Sequence, residues 1–204
     1  MPQSAKAPPP PNNDLLPLVA SNLRRLRAEQ RLSLEALGKR SGVSRAMLGQ
    51  IELGQSTPTV TVMWKIAQGL GVPFSALLAG GAGSQPSAPP ETVVMRAKGA
   101  RPIPSGTGAF TSRPLFPGEG SRVEFYEITM RPKQAELADA HPAGTVENIV
   151  VAQGALELEL GGSVHKLQTG DAIRFAADRP HRYSNPGRSS ALLYMVITYP
   201  EAGR

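Results

Sequence analysis

The stretch GGAGSQPSAPP, residues 80–90, narrows the folds open to this chain more than any other feature. Its small side chains have little apolar area to bury, and its prolines lack the amide proton that helix and sheet both need. No single core runs through such a segment, and the hydrophobic period changes across it. Before it, Val19, Leu23 and Leu26, then Leu34 and Leu37, then Val62, Ile66 and Leu70 recur at helical spacing. After it, SRVEFYEITM (121–130) and ALELELGG (155–162) alternate apolar with polar, while NIVVAQG and ALLYMVITY read as buried strands. The expectation is a multidomain α + β chain: a tail over 1–13, a small all-α domain over 14–79, a flexible linker over 80–91 and a β-sandwich or barrel over 92–200.

With 204 residues and 40% apolar content, both domains have material for a core. The chain has no cysteine, which excludes disulfides, thiolate metal sites and cysteine nucleophiles. It contains no apolar run of membrane-spanning length, and the Pro-rich opening MPQSAKAPPPPNND lacks the hydrophobic core of a signal peptide. A cytoplasmic protein with no membrane partner is expected. The net charge of +6 is unevenly placed. Residues 15–79 carry eight Lys/Arg against three Glu, whereas residues 80–204 carry thirteen against twelve acidic residues. The helical half is therefore the nucleic-acid candidate.

Within that half, Ser33 precedes LEALGKR and Ser44 precedes RAMLGQIEL, each placed to cap a helix, with Ser41-Gly42-Val43 as the turn between them. Leu34, Leu37, Val43, Leu48 and Ile51 form one inward seam, leaving Arg45, Ala46, Gly49 and Gln50 outside. Further helices are expected from TPTVTVMWKIAQGL and from VPFSALL, where Pro73 suits a first helical position.

Residues 23–78 of this text resemble the lambda-repressor-like, XRE-type helix-turn-helix family, a five-helix DNA-binding domain. The resemblance implies that the second motif helix enters the major groove, with Arg45, Ala46 and Gln50 facing the bases. Their chemistry suits this in different degrees: Arg45 can pair with guanine, Gln50 with adenine, and Ala46 offers contact to a thymine methyl. Ser33, Ser44, Arg40, Gln55 and Thr57 are candidate backbone contacts. Arg24 and Arg25 are expected to add sequence-independent attraction. The implied partner is a double-stranded DNA operator read by a homodimer.

The second half, from Thr92 to Tyr199, resembles the cupin superfamily, double-stranded β-helix (jelly-roll) barrels, and in particular the cupin sensor halves of XRE-type regulators. Two blocks carry this, HPAGTVENIVVAQG (141–154) and GDAIRFAADRPHRYSN (170–185). His141, Glu147 and Gly154 fall on the first cupin motif, with Ala143 where a second histidine is customary. Gly170, His181 and Asn185 fall on the second, with Ala176 and Asp178 in place of its proline and glycine. The resemblance thus implies a metal set of His141, Glu147 and His181, for Fe, Zn, Ni or Mn, and two histidines with one carboxylate is also the donor set of non-haem iron oxygenases. His165 lies in the hairpin-like GGSVHKLQTG and is read as solvent-facing or packed, while Asp139 is a candidate compensating carboxylate or a turn residue. Without metal, a barrel mouth lined by His141, Glu147, Arg174, His181 and Tyr183 would recognise a small polar effector.

Together these readings give a sequence-specific transcriptional regulator, a repressor by preference, with a ligand-sensing barrel and no catalytic residues. The alternatives are a cupin oxygenase or epoxidase joined to a helix-turn-helix domain, and a protein-binding adaptor.

Overall fold

The computed structural model describes residues 15–78, 92, 94–97, 102–117 and 122–200. The expected tail and linker lie outside these residues. The helical part contains α1 (Leu15–Glu29), α2 (Leu34–Ser41), α3 (Arg45–Glu52) and α4 (Val60–Leu70), followed by a single 3-10 turn, Phe74–Leu77. It thus has four α-helices where five were expected. Pro73 stands before the turn in an extended conformation instead of opening a helix. The amide of Ser75, two residues on, donates to a carboxylate of the β domain, and the segment closes with i→i+3 bonds from Ala76 to Pro73 and from Leu78 to Ser75. Packing shapes this piece more than propensity does, since Phe74, Ser75, Ala76 and Leu77 are all buried.

Local signals in the helix-turn-helix act as expected. Ser33 Oγ accepts from the Ala36 amide at 3.0 Å and Ser44 Oγ from the Met47 amide at 3.2 Å, satisfying helix-start donors that would otherwise be orphaned. Gly42 ends α2 at φ 68°, a left-handed conformation that a Cβ would strain. Leu23, Leu37, Leu48, Ile51, Met63 and Ile66 form the centre of the helical core, each almost fully buried.

The β domain consists of β1 (Ile103–Pro104), β2 (Phe110–Leu115), β3 (Val123–Met130), β4 (Ala135–Ala138), β5 (Val146–Gln153), β6 (Ala155–Leu160), β7 (Ser163–Gln168), β8 (Ala172–Ala176), β9 (His181–Ser184) and β10 (Ala191–Thr198). They form two antiparallel sheets, ordered β1-β2-β3-β10-β5-β8 and β4-β9-β6-β7. Strands far apart in sequence are neighbours: β10 pairs with both β3 and β5, and β9 lies between β4 and β6. This two-sheet sandwich brings His181 on β9 to the same barrel mouth as Glu147 on β5. Tyr126, Ile128, Met130, Ile149, Val151, Leu156, Leu158, Leu193 and Ile197 fill the interior.

α4 and the 3-10 turn rest against the barrel. Buried Glu124 of β3 accepts the Ser75 amide at 2.6 Å on one oxygen, and the hydroxyls of Tyr126 (2.7 Å) and Tyr199 (2.9 Å) on the other. These three donors compensate a carboxylate that would be costly to bury alone. Nearby, Trp64 of α4 packs on Phe74 (ring centroids 4.9 Å apart) and on His141 (4.6 Å). Gln68 donates to the Ala140 carbonyl at 3.1 Å. Among the described residues, no helix is long and apolar enough to cross a membrane.

Candidate functional site

Two sites emerge, one on α3 and one at the barrel mouth. Arg45, Ala46 and Gln50 all lie exposed on the outer side of α3, with Met47 beside them, while Leu48 and Ile51 are fully buried. Ser33, Arg40, Ser44, Gln55 and Thr57 surround this helix and are exposed as well. The two serines already accept from their own helix amides and keep a hydroxyl proton to donate outward. Arg24 and Arg25 are less free than expected: Arg24 donates to the Glu52 carbonyl at 2.9 Å and Arg25 pairs with Glu29 at 3.0 Å. A residue passed over in the sequence holds α3 in place. The Glu52 carboxylate is buried and takes two bonds from the Arg27 guanidinium of α1, at 2.6 and 2.9 Å. This pairing raises the Arg27 pKa above its ordinary value, against the opposing effect of burial.

At the barrel mouth, His141 Nε2 lies 2.8 Å and His181 Nε2 3.7 Å from Glu147 Oε1, and the three donor atoms all fall within 4.8 Å of one another. Glu147 and His181 are buried to about 1% exposure. The orientation of His181 follows from its neighbour: Nδ1 lies 2.9 Å from the Arg179 carbonyl, which turns Nε2 toward Glu147. Tyr183 donates to the other carboxylate oxygen, Oε2, at 2.5 Å. Burial first, and then the nearby Glu147 charge, push the Tyr183 pKa well above its ordinary value, which keeps the phenol a donor.

Among the described residues, Glu147 Oε1 and His181 Nε2 have no hydrogen bond of good geometry, although His141 Nε2 lies close to the former. Two ligands at ~2.1 Å from one ion, at tetrahedral to octahedral angles, stand about 3.0–3.4 Å apart. Separations of 2.8 and 3.7 Å bracket that range, so the buried acceptors fit a divalent cation.

The other residues expected near the site lie outside the donor cluster, though Asp139 lines the cavity above it. Ala143 sits in an exposed turn. Asp139 is outside the donor cluster and faces Lys65 of α4 at 3.8 Å. His165 lies exposed on β7, opposite Leu158. Arg174 is exposed on β8 and does not line the cavity, because its inward-facing neighbour is Phe175. Asn185 is buried and bonds to the Met130 and Ser189 carbonyls, which gives it a structural task. Gly154, at φ 88°, lets Ala191 approach to where a Cβ would meet it at 3.0 Å.

A cavity of about 100 Å³ lies over His141, Glu147 and Tyr183. Its walls are mainly apolar, including Phe110, Tyr126, Ile128, Met195 and Ile197, and it is polar chiefly at the histidine–carboxylate end and at its rim. The sequence missed one side of it: Thr61, Trp64, Lys65 and Gln68 of α4 complete the wall from the helical domain. In TVTVMWKIAQGL these positions read as the outer face of a helix, with no sign of what covers them.

A basic-ended helix-turn-helix packed against a cupin barrel defines a class of two-domain regulators, and the comparisons with known proteins agree. Residues 23–77 match a helix-turn-helix family and residues 126–197 a cupin domain family. The chain is 35% identical over 190 residues to the HTH-type transcriptional regulator SutR of Escherichia coli (strain K12), covering 93% of this chain and 99% of that protein. It is 44% identical over 59 residues to the HTH-type transcriptional regulator y4dJ of Sinorhizobium fredii (strain NBRC 101917 / NGR234), covering 29% of this chain and 77% of that one. The crystal structure of an HTH_3 family transcriptional regulator from Vibrio cholerae superposes with a TM-score of 0.72 at 31% identity, covering 92% of this chain and 98% of that one. The protein therefore belongs to the family of helix-turn-helix transcriptional regulators that carry a cupin domain, and it is a DNA-binding regulator of transcription.

Proposed function

We propose that α3 reads an operator through Arg45, Ala46 and Gln50, with Ser33, Arg40, Ser44, Gln55 and Thr57 on the phosphates, and that the barrel senses a small effector. The observation that carries the DNA reading is the exposure of these side chains around a helix whose other face is fully buried. Bidentate pairing of Arg45 with guanine and of Gln50 with adenine would supply direct readout. In this reading the protein works as a cytoplasmic homodimer. The outer face of the larger sheet supports the dimer: Phe125, Val150 and Tyr194 lie on adjacent strands there, and Phe125 and Val150 are 36% and 45% exposed. An isologous pairing of this face would present two copies of α3. A footprint of the purified protein on its own upstream DNA tests the proposal, with protection of two half-sites about one helical turn apart expected. Binding that is indifferent to sequence would overturn it.

His141, Glu147 and His181 are assigned to a divalent metal, which would neutralise Glu147 and orient a ligand. The two-histidine, one-carboxylate set also favours a second reading, a metal-dependent oxygenase. Oxygen consumption by Fe(II)-loaded protein in the presence of small organic substrates would support that reading, and effector-dependent operator binding without turnover would remove it.

A further inference from the structure

The helical domain does more than sit beside the barrel, since it forms one wall of the cavity. Thr61, Trp64, Lys65 and Gln68 all line it, and Trp64 packs at a tilt against His141, a member of the donor cluster at its floor. Glu124 and the Ser75 amide fasten the same junction through buried groups. An occupant would touch both domains at once. At about 100 Å³ the cavity is smaller than the ~150 Å³ void that holds a benzene ring, so an occupant lying wholly inside it is compact. Its walls are mainly apolar, with polar groups at the rim and at the end where His141, Glu147 and Tyr183 line it, His181 lying behind Glu147.

We propose that this cavity is a joint effector site of the two domains, with α4 as its lid, and that it takes a compact, largely apolar molecule bearing a single polar head. The inference rests on the reading of the barrel as a sensor and sharpens it. The head points to the His141–Glu147–His181 end, and the aliphatic or aromatic body lies against Phe110, Tyr126, Ile128 and Trp64. Such a molecule is favoured over sugars, polyols and polyacids, because the mainly apolar walls would strip many polar groups of water and replace few of their hydrogen bonds. Occupancy changes the contacts of α4, and α4 packs on α2 within the DNA-binding domain. At Gly69 a Cβ would lie 2.8 Å from Ser41 Cβ, so the two helices have no slack between them. Effector and operator affinity are then linked, each altering the other by the same factor.

The chain contains one tryptophan, and it is Trp64. Its fluorescence in the full-length protein is therefore a local probe of the lid. Hexanoate, hexylamine, benzoate and benzylamine would be titrated with Zn(II) present and with chelator present, beside glycerol and citrate. The proposal expects at least one single-headed compound to change the emission saturably, glycerol and citrate to leave it unchanged, and the active compound to shift operator affinity about fivefold or more. The metal and chelator arms tell whether the head engages a bound ion or the bare side chains.

Gly106 provides the control for coupling. A Cβ there would meet Thr61 Oγ1 at 3.1 Å, so Gly106→Val wedges α4 away from the barrel. This variant should fold and bind operator while losing the effect of the compound on DNA. Response only to polyols or polyacids, no response to any single-headed compound, or a bound compound that leaves operator affinity within twofold would each overturn the proposal. Failure of the unliganded protein to bind its operator would instead count against the α3 reading, so the two failures are distinguishable.

Discussion

Replacing Glu52 by alanine tests how the recognition helix is held. Glu52 closes α3, and both of its carboxylate oxygens face the guanidinium of Arg27 on α1, at 2.6 and 2.9 Å. The two side chains are 7% and 19% exposed, so water competes poorly for the pair. Removing one partner of a buried ion pair costs about 3–5 kcal/mol, because the other charge stays buried without compensation. Arg27 has some relief: it still donates from Nη1 to the Leu32 carbonyl at 2.8 Å and lies near solvent. The loss expected for Glu52→Ala is therefore about 2–3 kcal/mol. In a helical domain of this size that lowers the unfolding midpoint by roughly 10–20 °C. Glu52→Gln, which keeps an acceptor, should lose about half as much. The exposed Arg25–Glu29 pair supplies the comparison, since Glu29→Ala should cost only about 0.3–0.5 kcal/mol. Thermal and urea unfolding followed by helical circular dichroism would measure all three. If Glu52→Ala and Glu29→Ala came within about 0.5 kcal/mol of each other, burial would not be what strengthens the Arg27 pair.

Other perturbations address the sites and the barrel. Arg45→Ala should weaken operator binding by ~1–3 kcal/mol and relax preference at one base pair, as read by gel-shift titration on a panel of single-base variants. Glu147→Gln and His181→Ala should each lower Zn(II) affinity by tenfold or more in calorimetry, while His165→Ala, altered on the exposed face of β7, should leave it unchanged. Gly69→Val should destabilise the helical domain by about 1–3 kcal/mol, since a side chain there collides with Ser41, and urea midpoints would show it. On the outer sheet face, the hydrogen bonds and charge of Arg113 hold the Glu127 pKa below the ordinary carboxylate range. Because the folded pKa is depressed, the stabilisation of ~1 kcal/mol is present above the ordinary carboxylate value of about 4 and is lost as pH falls through the lower folded value. Wild type and Glu127→Gln should accordingly differ at neutral pH and converge in acid unfolding experiments.

Much of the architecture was legible in the sequence because its signals are local. Ser33 and Ser44 cap helices through their own hydroxyls, Gly42 turns the chain at positive φ, and the change from period 3.6 to period 2 separates the two domains. The His141, Glu147 and His181 cluster was reached through the resemblance of two short blocks to the cupin motifs. The outward position of Arg174 and the ion pair of Asp139 were not legible, for different reasons. Residue type does not say which phase of β8 faces inward, and Phe175 takes the interior position. Nor does a turn carboxylate reveal the helix opposite it, and Asp139 meets Lys65.

The sequence by itself determined that there are two domains, which side of α3 is exposed, and which residue types could serve a barrel site. Only the tertiary structure decided that α4 closes the barrel mouth, that Glu124 anchors the junction, and that Glu147, His141 and His181 share one point in space. Periodicity records the face an element presents, because burial repeats along a single helix or strand. It carries no information about which distant face will meet it, since that depends on strand order, register and packing across the whole chain.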